Sequence, residues 1–338
     1  MKKNCAAYFS APNKVETIER PIVRPGAGQV LIESSRSLIS PGTEISMLSQ
    51  RGVYKGSVWE SAWDGSPAVP GYMNVGTVIE TGKDIDKKWL GRKVVSCTNH
   101  SAYNTADFAQ AALKPVRDGI TDETAVFSVF AEIALNGVRR ARLTLGETVV
   151  VYGLGIIGNL AVQLARIGGA SKVIAVDTSD FRLGVLPAAP DVIKVNPLKQ
   201  DVKDAVSGAT KGRMADVVFE VTGVASLIPK ELEILRKQGK FIVLSSPRGK
   251  TELDFHDLCN APSFEIIGAH NMSHPAVATL DNQWTCGRDV ELFQDLAADG
   301  RIDAVRMITH RVKYTDAPKM YDMLLKGADG VLGVVFEW

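Results

Sequence analysis

The sequence predicts an α/β protein in which a mainly β N-terminal part is followed by a doubly wound parallel sheet. Up to about residue 119, short β-rich runs are separated by breaks rich in glycine and proline, with few helical stripes. From about residue 121, segments rich in valine and isoleucine alternate with segments of helical spacing, which is typical of a parallel sheet covered on both faces. The 338 residues, 45% of them hydrophobic, suffice for about two domains with sizeable cores.

The N-terminal domain is predicted to comprise residues 1–120. Its β-rich runs predict strands at 29–33, 75–80 and 93–97. The breaks RPGAG, SPGT and VPGY favour turns because glycine and proline supply the backbone angles that turns need. This part is therefore predicted to form a small β domain.

The second domain is predicted to comprise residues 121–289 and to begin with a helix at 124–141, where apolar residues recur at helical spacing. Strands are predicted at 148–152, 172–177, 191–195, 216–221, 240–244 and 265–268, with a helix at 156–167 and others between the later strands. Pro187 and Pro190 should cut short the helix that follows the second strand.

The last segment, residues 290–338, is predicted to contain two helices and two strands. The helices are expected at 290–298 and 316–326, and the strands at 307–312 and 333–338. Because six strands of the second sheet precede it, we expect this segment to pack elsewhere, on the N-terminal half.

The charge pattern excludes some classes of partner. Thirty-nine basic and 38 acidic residues give a net charge of +1, dispersed along the chain. A dedicated nucleic-acid or membrane-surface binder would carry a lopsided charge, so a small-molecule partner is expected. Residues 148–165 are uncharged, but the three glycines, Asn159 and Gln163 within them favour a strand, turn and helix over a membrane span.

The cysteines and the N-terminus bear on the compartment. Cys5, Cys97, Cys259 and Cys286 are scattered without a CxxC pair, which argues against a disulfide framework or a cysteine-cluster metal site. The first residues lack the apolar stretch of a signal peptide. We therefore expect a cytoplasmic protein.

The strongest motif is a glycine turn between an apolar strand and an amphipathic helix. Gly153, Gly155 and Gly158 form GxGxxG in the strand–turn–helix context that a dinucleotide site requires. The first glycine permits the tight turn, the second lets the backbone approach a diphosphate, and the third allows close helix–strand packing. The predicted diphosphate site comprises Gly153, Leu154, Gly155, Ile156, Ile157 and Gly158, at the positive end of the helix dipole.

An acid after the next strand indicates which dinucleotide is bound. Asp177 follows Gly158 by 19 residues and can accept both hydroxyls of an adenosine ribose. It would repel a 2′-phosphate by a few kcal/mol, at an effective dielectric of about 20 and a separation of about 5 Å. Arg182 complicates this preference because an arginine there can accommodate phosphate. The cofactor predicted is NAD.

With these elements placed, the whole chain resembles the medium-chain dehydrogenase/reductase superfamily, in particular its zinc alcohol and polyol dehydrogenases. The stretches LGETVVVYGLGIIG, GRMADVVFEVTG, LRKQGKFIVLS and ITHRVKYTDAPKMYDMLLKG are similar to that family's signature stretches, in its order. The resemblance implies a chaperonin-10-like (GroES-like) β domain, a Rossmann domain and a C-terminal return to the first domain, with cofactor bound in the cleft between domains. It also implies that Thr222, Ser245 and the stretch around His270 line the nicotinamide-ribose side, and that subunits join as a dimer or tetramer through an edge strand at 265–270.

The sequence departs from the family at its metal sites. The three catalytic zinc ligands of the family fall here on Pro41, Tyr72 and Val129, which are poor or impossible ligands. Residues 100–110 lack the cysteines of the family's structural zinc lobe. His270 and His274 are four residues apart, but Pro275 follows and no third ligand is evident. We predict no metal at either site.

Hydroxyl and carboxyl groups near the vacated positions are the candidates for proton transfer. Tyr72 replaces a ligand histidine and is a candidate acid/base or oxyanion donor, and Thr43 matches the family's proton-relaying hydroxyl. Glu132 lies one turn after Val129 on an apolar helix, where an acid is costly unless paired or functional. Glu44 matches a neighbouring acid of the family, for which a structural acceptor role is the simpler reading.

A loop at 52–70 carries Tyr54, Trp59 and Trp63, and its tryptophans are spaced to share a helical face, which fits either packing or stacking on a substrate.

These features predict a zinc-independent, NAD-dependent oxidoreductase acting on a secondary alcohol such as a polyol, sugar or cyclitol derivative. The SPGTE turn, residues 40–44, also resembles that of bacteriochlorophyllide dehydrogenase and its relatives, which leaves a larger substrate open. Two alternatives remain open: a quinone or enoyl reductase of the same superfamily, and an inactive protein that binds NAD(H) as a sensor. Asp177 weighs against the first because those reductases usually use NADPH.

Overall fold

The computed structural model describes residues 3–50, 65–110, 112–275 and 277–338. The chain divides into two compact units: one combines residues 1–129 with 290–338, and the other comprises residues 130–289. The first boundary along the chain therefore lies within a helix, nine residues after the predicted one, while the second coincides with the prediction.

The strands of the described residues are β1 (Asn4–Ala11), β2 (Lys14–Arg20), β3 (Gln29–Leu38), β4 (Asn74–Thr81), β5 (Lys93–Ser96), β6 (Tyr103–Asp107), β7 (Lys114–Pro115), β8 (Thr148–Tyr152), β9 (Lys172–Val176), β10 (Val192–Val195), β11 (Ala215–Glu220), β12 (Leu235–Val243), β13 (Glu265–Gly268), β14 (Ile308–Lys313) and β15 (Gly333–Glu337). The α-helices are α1 (Pro41–Ser49), α2 (Asp122–Ala125), α3 (Ser128–Ala141), α4 (Ile156–Ile167), α5 (Asp180–Val185), α6 (Val202–Thr210), α7 (Ile228–Leu232), α8 (Cys286–Ala298) and α9 (Ala317–Leu325). None of the helices within these described ranges has both the length and the apolar character that crossing a bilayer requires.

The first unit is built on a sheet with the strand order β14-β15-β3-β4-β5-β7, and β6 also pairs with β3. The late strand β15 runs antiparallel to β3, and β14 is parallel to β15. Phe9 from β1, Tyr321 from α9 and Phe336 from β15 are buried in one cluster, with the Phe9 and Tyr321 ring centroids 5.1 Å apart. The C-terminal segment thus contributes both a sheet strand and core aromatics to this unit.

The second unit is a six-stranded parallel sheet with the order β10-β9-β8-β11-β12-β13. This is the doubly wound Rossmann order, and it confirms the predicted fold class. Alternate residues of β8 enter different cores: Val149 and Val151 pack with α4, whereas Val150 lies in the cluster that contains Val206 of α6 and Leu232 of α7. Burial on both faces explains why these strands read as continuous apolar runs.

The observed bounds of some elements differ from the predicted ones, and others agree. The bounds of β8, α4 and β13 agree with the prediction, and α5 is short, ending before Pro187. The helix predicted at 124–141 is wrong as one element, because α2 and α3 are separate. The Ser128 hydroxyl donates to the Ala125 carbonyl (2.7 Å), a local bond that competes with a continuous helix.

Candidate functional site

In the second unit, the three glycines of the turn are required by different constraints. Gly153 has φ +88°, and a Cβ there would lie 2.8 Å from the Val221 carbonyl oxygen. A Cβ on Gly158 would lie 1.8 Å from the Gly153 carbonyl oxygen, so α4 approaches the turn too closely for any side chain. A Cβ on Gly155 would meet nothing within 4 Å. The backbone at Gly155 is therefore open to an approaching group, as a diphosphate cradle demands.

Helix α4 begins directly after this open backbone. Gly155 is its N-cap residue, and Ile156, Ile157 and Gly158 form its first turn. The N–H groups of a first helical turn have no acceptor inside the helix, and the helix dipole adds partial positive charge. Leu154, by contrast, is buried, and its N–H donates to Asp177 Oδ2 at 2.7 Å.

Asp177 lies beside the glycine turn, as its position after β9 predicts. Besides the Leu154 bond, its Oδ1 accepts the Ser179 N–H at 2.8 Å. Each carboxylate oxygen can accept two hydrogen bonds, so acceptor sites remain for ribose hydroxyls. Arg182 Nη1 lies 3.7 Å from Asp177 Oδ2, and its half-exposed guanidinium partly balances the acid.

Glu220, at the end of β11, brings two of the predicted residues together. It is fully buried, and its Oε1 accepts the N–H and hydroxyl of Thr222 (both 2.7 Å) and the N–H of Gly223 (2.8 Å). Ser245 donates its hydroxyl to the other carboxylate oxygen. Glu220 was not predicted from the sequence, although a second acid at the end of the mainly apolar strand ADVVFE is a signal of such a role.

The first unit holds a cluster of three hydroxyl groups. The partly buried Tyr72 donates its hydroxyl to Ser40 Oγ at 2.6 Å, and Thr43 Oγ1 lies 3.3 Å from the Tyr72 phenol oxygen. Ser40 is the N-cap residue of α1 and Thr43 lies in its first turn, which explains why both face one phenol. The candidates Tyr72 and Thr43 therefore meet, and Ser40 joins them as a residue that sequence reasoning did not select.

A buried carboxylate supports this hydroxyl cluster. Glu44 Oε1 accepts the Ser40 N–H (2.7 Å), Oε2 accepts the Tyr321 hydroxyl, and His100 Nε2 lies 3.2 Å from Oε2. The His100 ring also packs against Gly71, where a Cβ would lie 2.7 Å from the ring carbons. This arrangement supports the structural reading of Glu44. His100 carries no signal in the sequence, because its partners are distant along the chain.

Glu132 is a buried acid of the second unit. It is 7% exposed, and its Oε1 accepts the Asn271 side-chain amide at 3.0 Å. His270, one residue before Asn271, has an exposed side chain whose Nδ1 accepts the Met272 N–H at 3.3 Å. Glu132 and the His270 stretch are thus neighbours within this unit.

The side chains at the family's zinc positions do not suit a zinc ion. Pro41 begins α1, Val129 is an apolar residue, and the Tyr72 phenol is bonded to hydroxyls. Across residues 3–50, 65–110, 112–275 and 277–338, no group of three or more His, Cys, Asp or Glu side chains could hold a metal ion. Tetrahedral zinc needs such a set of nitrogen, sulfur or carboxylate donors. Tyr54, Trp59 and Trp63 lie outside the described residues.

Comparison with known proteins agrees with this architecture. A family model described as zinc-binding dehydrogenase matches residues 157–284, a range that includes none of the three zinc-ligand positions discussed above. An erythritol/L-threitol dehydrogenase of Mycolicibacterium smegmatis is 23% identical, over 94% of this chain and 92% of its own. An L-threonine 3-dehydrogenase of Bacillus velezensis is 25% identical, over 92% of each chain.

Solved structures show the same fold. Galactitol-1-phosphate dehydrogenase from Escherichia coli matches with a TM-score of 0.83 at 15% identity, covering both chains fully. An Escherichia coli alcohol dehydrogenase complexed with NADH gives 0.80 at 16%, over 100% of each chain. A Sinorhizobium meliloti protein described as a putative zinc-binding dehydrogenase, bound to NADP, gives 0.81 at 20%, over 100% of each chain. The chain is thus similar in sequence to zinc-binding dehydrogenases over residues 157–284 and to alcohol and polyol dehydrogenases over nearly its whole length, which supports an oxidoreductase of the medium-chain dehydrogenase/reductase type.

One buried acid of the second unit, Glu231, differs from Glu220 in its hydrogen bonding. Glu231 of α7 is fully buried, and neither of its carboxyl oxygens has a hydrogen-bond partner among the described residues. Burial, and secondarily the negative charge of Glu220, raises the pKa of Glu231 to about 9. The carboxyl is therefore protonated at neutral pH in the folded protein.

Replacing this acid by its neutral isostere should change the pH dependence of stability. The pKa of Glu231 in the folded protein exceeds the ordinary value of 4.5. Its contribution to the free energy of unfolding is therefore fully present below about pH 4.5 and is lost as the pH rises towards 9. Glu231→Gln should match the wild type near pH 4.5 and exceed its free energy of unfolding by about 2 kcal/mol or more at pH 8. Urea denaturation at both pH values measures this, with exposed Glu233→Gln as the control. If Glu231→Gln and the wild type differ in free energy of unfolding by the same amount at both pH values, the raised pKa of Glu231 is contradicted.

Proposed function

We propose that this protein is an NAD-dependent dehydrogenase that oxidises a secondary alcohol of a polyol, sugar or cyclitol derivative without zinc. The observation that carries the proposal is the hydroxyl cluster of Tyr72, Ser40 and Thr43, formed where the family resemblance expects a metal ligand. The polyol and alcohol dehydrogenases among the relatives support the substrate class.

The second unit supplies the residues that would hold NAD. The open backbone at Gly155 and the first turn of α4 suit the diphosphate, and Asp177 retains acceptor sites for the adenosine ribose. Thr222 and Ser245, both bonded to Glu220, are proposed to line the nicotinamide-ribose side with His270. When bound, NAD would supply the acceptor for the hydride that leaves the alcohol carbon.

The role of Tyr72 follows from its protonation. Burial raises the pKa of the Tyr72 phenol, and the charge of Glu44 adds to this, against opposing hydrogen bonds with Ser40 and Thr43. The phenol therefore stays protonated at neutral pH, and to donate its single proton to a substrate oxygen it must release its bond to Ser40. In the oxidation direction, the alcohol proton passes to the phenol oxygen as the phenol proton moves to the Ser40 or Thr43 hydroxyl, and the proton of that hydroxyl passes on to water.

Glu132 is proposed to act on the substrate as well, either as an acid/base or by binding a hydroxyl. Burial is costly for a carboxylate and fits a group retained for function.

The direct test is turnover with defined substrates. We expect purified protein to oxidise members of a panel of polyols and cyclitols with NAD, and to keep its activity after dialysis against a zinc chelator. Reduction of quinones or enones with NADPH alone would instead favour the reductase alternative. Tight NADH binding without turnover of any alcohol or ketone would favour the sensor alternative. Stoichiometric zinc whose removal abolishes activity would refute the zinc-independent mechanism.

Asp177 should set the preference for NAD over NADP. Its charge opposes a 2′-phosphate by a few kcal/mol at an effective dielectric of about 20 and a separation of about 5 Å. Asp177→Asn keeps an acceptor for the Leu154 N–H and should lower the ratio of kcat/KM for NAD to that for NADP at least tenfold. The exposed Asp180→Asn serves as control. An unaltered ratio in Asp177→Asn would exclude this residue as the determinant.

Removal of the Tyr72 hydroxyl should slow turnover without affecting cofactor binding. General acid–base catalysis is worth about 10²–10⁴ in rate, so Tyr72→Phe should reduce kcat at least tenfold while the Kd for NADH stays within twofold. Tyr103→Phe, which removes a phenol hydroxyl bonded to Glu33 in the same unit, is the matched control. Wild-type turnover in Tyr72→Phe would eliminate this tyrosine from the mechanism.

We also propose a cytoplasmic homo-oligomer, either a dimer or a tetramer. Strand β13 is the edge of the six-stranded sheet, and Ile266 on it and Met272 beyond it are exposed. Exposed edge strands with apolar side chains are templates for pairing with another chain. Sedimentation velocity would refute the oligomer by finding a monomer at micromolar concentration.

A further inference from the structure

One face of helix α3 makes a row of polar contacts with the segment that follows β13. Glu132, Asn136 and Arg139 are spaced at i, i+4 and i+7, so they share that face. Asn136 Nδ2 donates to the His270 carbonyl at 3.0 Å and to Ser273 Oγ at 2.8 Å. The segment is therefore anchored to α3 at several points.

At the far end of this row lies a buried ionic group. Arg139 donates to Asp289 Oδ1 from Nε (2.9 Å) and Nη2 (2.6 Å), and its guanidinium carbon lies 3.3 Å from the centroid of the Trp284 ring. His274 Nε2 lies 3.1 Å from Asp289 Oδ2. The Asp289 side chain is fully buried and that of His274 is 3% exposed, so solvent screens this group little.

The hydrogen bonds of His274 define its protonation. Its Nδ1 lies 2.8 Å from the Asn271 carbonyl oxygen, which can only accept, and its Nε2 faces the Asp289 carboxylate, which also accepts. Both ring nitrogens must then carry protons, which makes His274 an imidazolium. Desolvation lowers its pKa, but hydrogen bonds with Asp289 and Cys286 of α8 and with the Asn271 backbone outweigh this and raise it to about 10.

Asn271 connects this imidazolium to the candidate acid. Its carbonyl accepts from His274, while its side-chain amide donates to Glu132 Oε1 at 3.0 Å. A neutral imidazole has one N–H and could keep only one of its two bonds. The charged ring has two N–H groups, so it can bind the Asp289 carboxylate and the Asn271 carbonyl at the same time. In this way it fixes the position of Asn271, whose side-chain amide donates to Glu132.

We propose that His274 is a positioning residue that acts through Asn271 to orient Glu132, which rests on the proposed role of Glu132 in the reaction. The bond that matters for Glu132 is the one from Nδ1 to the Asn271 carbonyl. The bond to Asp289 keeps the ring charged and in place.

Two substitutions of His274 test its hydrogen bonds to Asn271 and Asp289 separately. An asparagine at this position mimics Nδ1, and a glutamine mimics Nε2, so His274→Asn can keep the Asn271 contact and His274→Gln can keep the Asp289 contact. We expect His274→Gln to lower kcat/KM for the alcohol at least tenfold and His274→Asn to stay within threefold of the wild type. His256→Gln, which alters an exposed histidine paired with Asp257, is the control. Equal losses in both variants would indicate a purely structural role and overturn the proposal.

A readout that does not need turnover separates this proposal from the proposed function. Nitrogen NMR of the wild type at pH 8 should show both His274 nitrogens protonated. The carboxyl-carbon resonance of Glu132 should move in His274→Gln and keep its position in His274→Asn. A neutral His274 at pH 8, or an unmoved Glu132 resonance in His274→Gln, overturns the positioning role even in an active enzyme. If the NMR results are as expected but no alcohol is oxidised, it is the proposed function, and with it the catalytic purpose of this positioning, that fails.

Discussion

Burying a carboxylate removes hydration worth several kcal/mol, and the polar interior of this protein is arranged around that constraint. Glu44, Glu220 and Asp289 are each within 1% of complete burial, and each accepts several hydrogen bonds. Donors to Glu44 and Asp289 include residues distant along the chain, whereas Glu220 accepts from Thr222 and Gly223 directly after it and from Ser245. The donors around Glu220 include two of the candidate site residues, Thr222 and Ser245. Among the residues that the structure describes, none donates to Glu231, and its raised pKa keeps it protonated instead.

The same constraint explains how a metal site of the family could be replaced. Zinc lowers the pKa of a bound oxygen by its charge, and a phenol offers no comparable charge. Burial, with a smaller contribution from the charge of Glu44, raises the pKa of the Tyr72 phenol, so in the proposed mechanism Tyr72 donates or relays a proton. The hydroxyls of Ser40 and Thr43 suit a relay, since each can accept one hydrogen bond while donating another.

Much of the fold could be predicted because its signals are local. The strand at Thr148–Tyr152, the helix at Ile156–Ile167 and the turn between them follow from apolar runs and three glycines within twenty residues. The helix break near Ser128 could not be predicted in this way, because it lies within an apolar, helix-spaced run and is accompanied only by a local hydroxyl–carbonyl bond. The site was predicted in part: Tyr72 and Thr43 do meet, but Ser40 was not expected between them.

The sequence by itself determined the glycine turn, the acid beside it and the residues Pro41, Tyr72 and Val129 at the positions where the family resemblance expects zinc ligands, because each depends on the identity of residues at particular positions. The tertiary structure alone decided the partners of the buried acids. His100 reaches Glu44 across 56 positions, and Asn271 reaches Glu132 across 139. Such pairs leave no periodic pattern in the sequence, because a buried carboxylate is hydrogen-bonded by whichever donors the folded backbone places within reach.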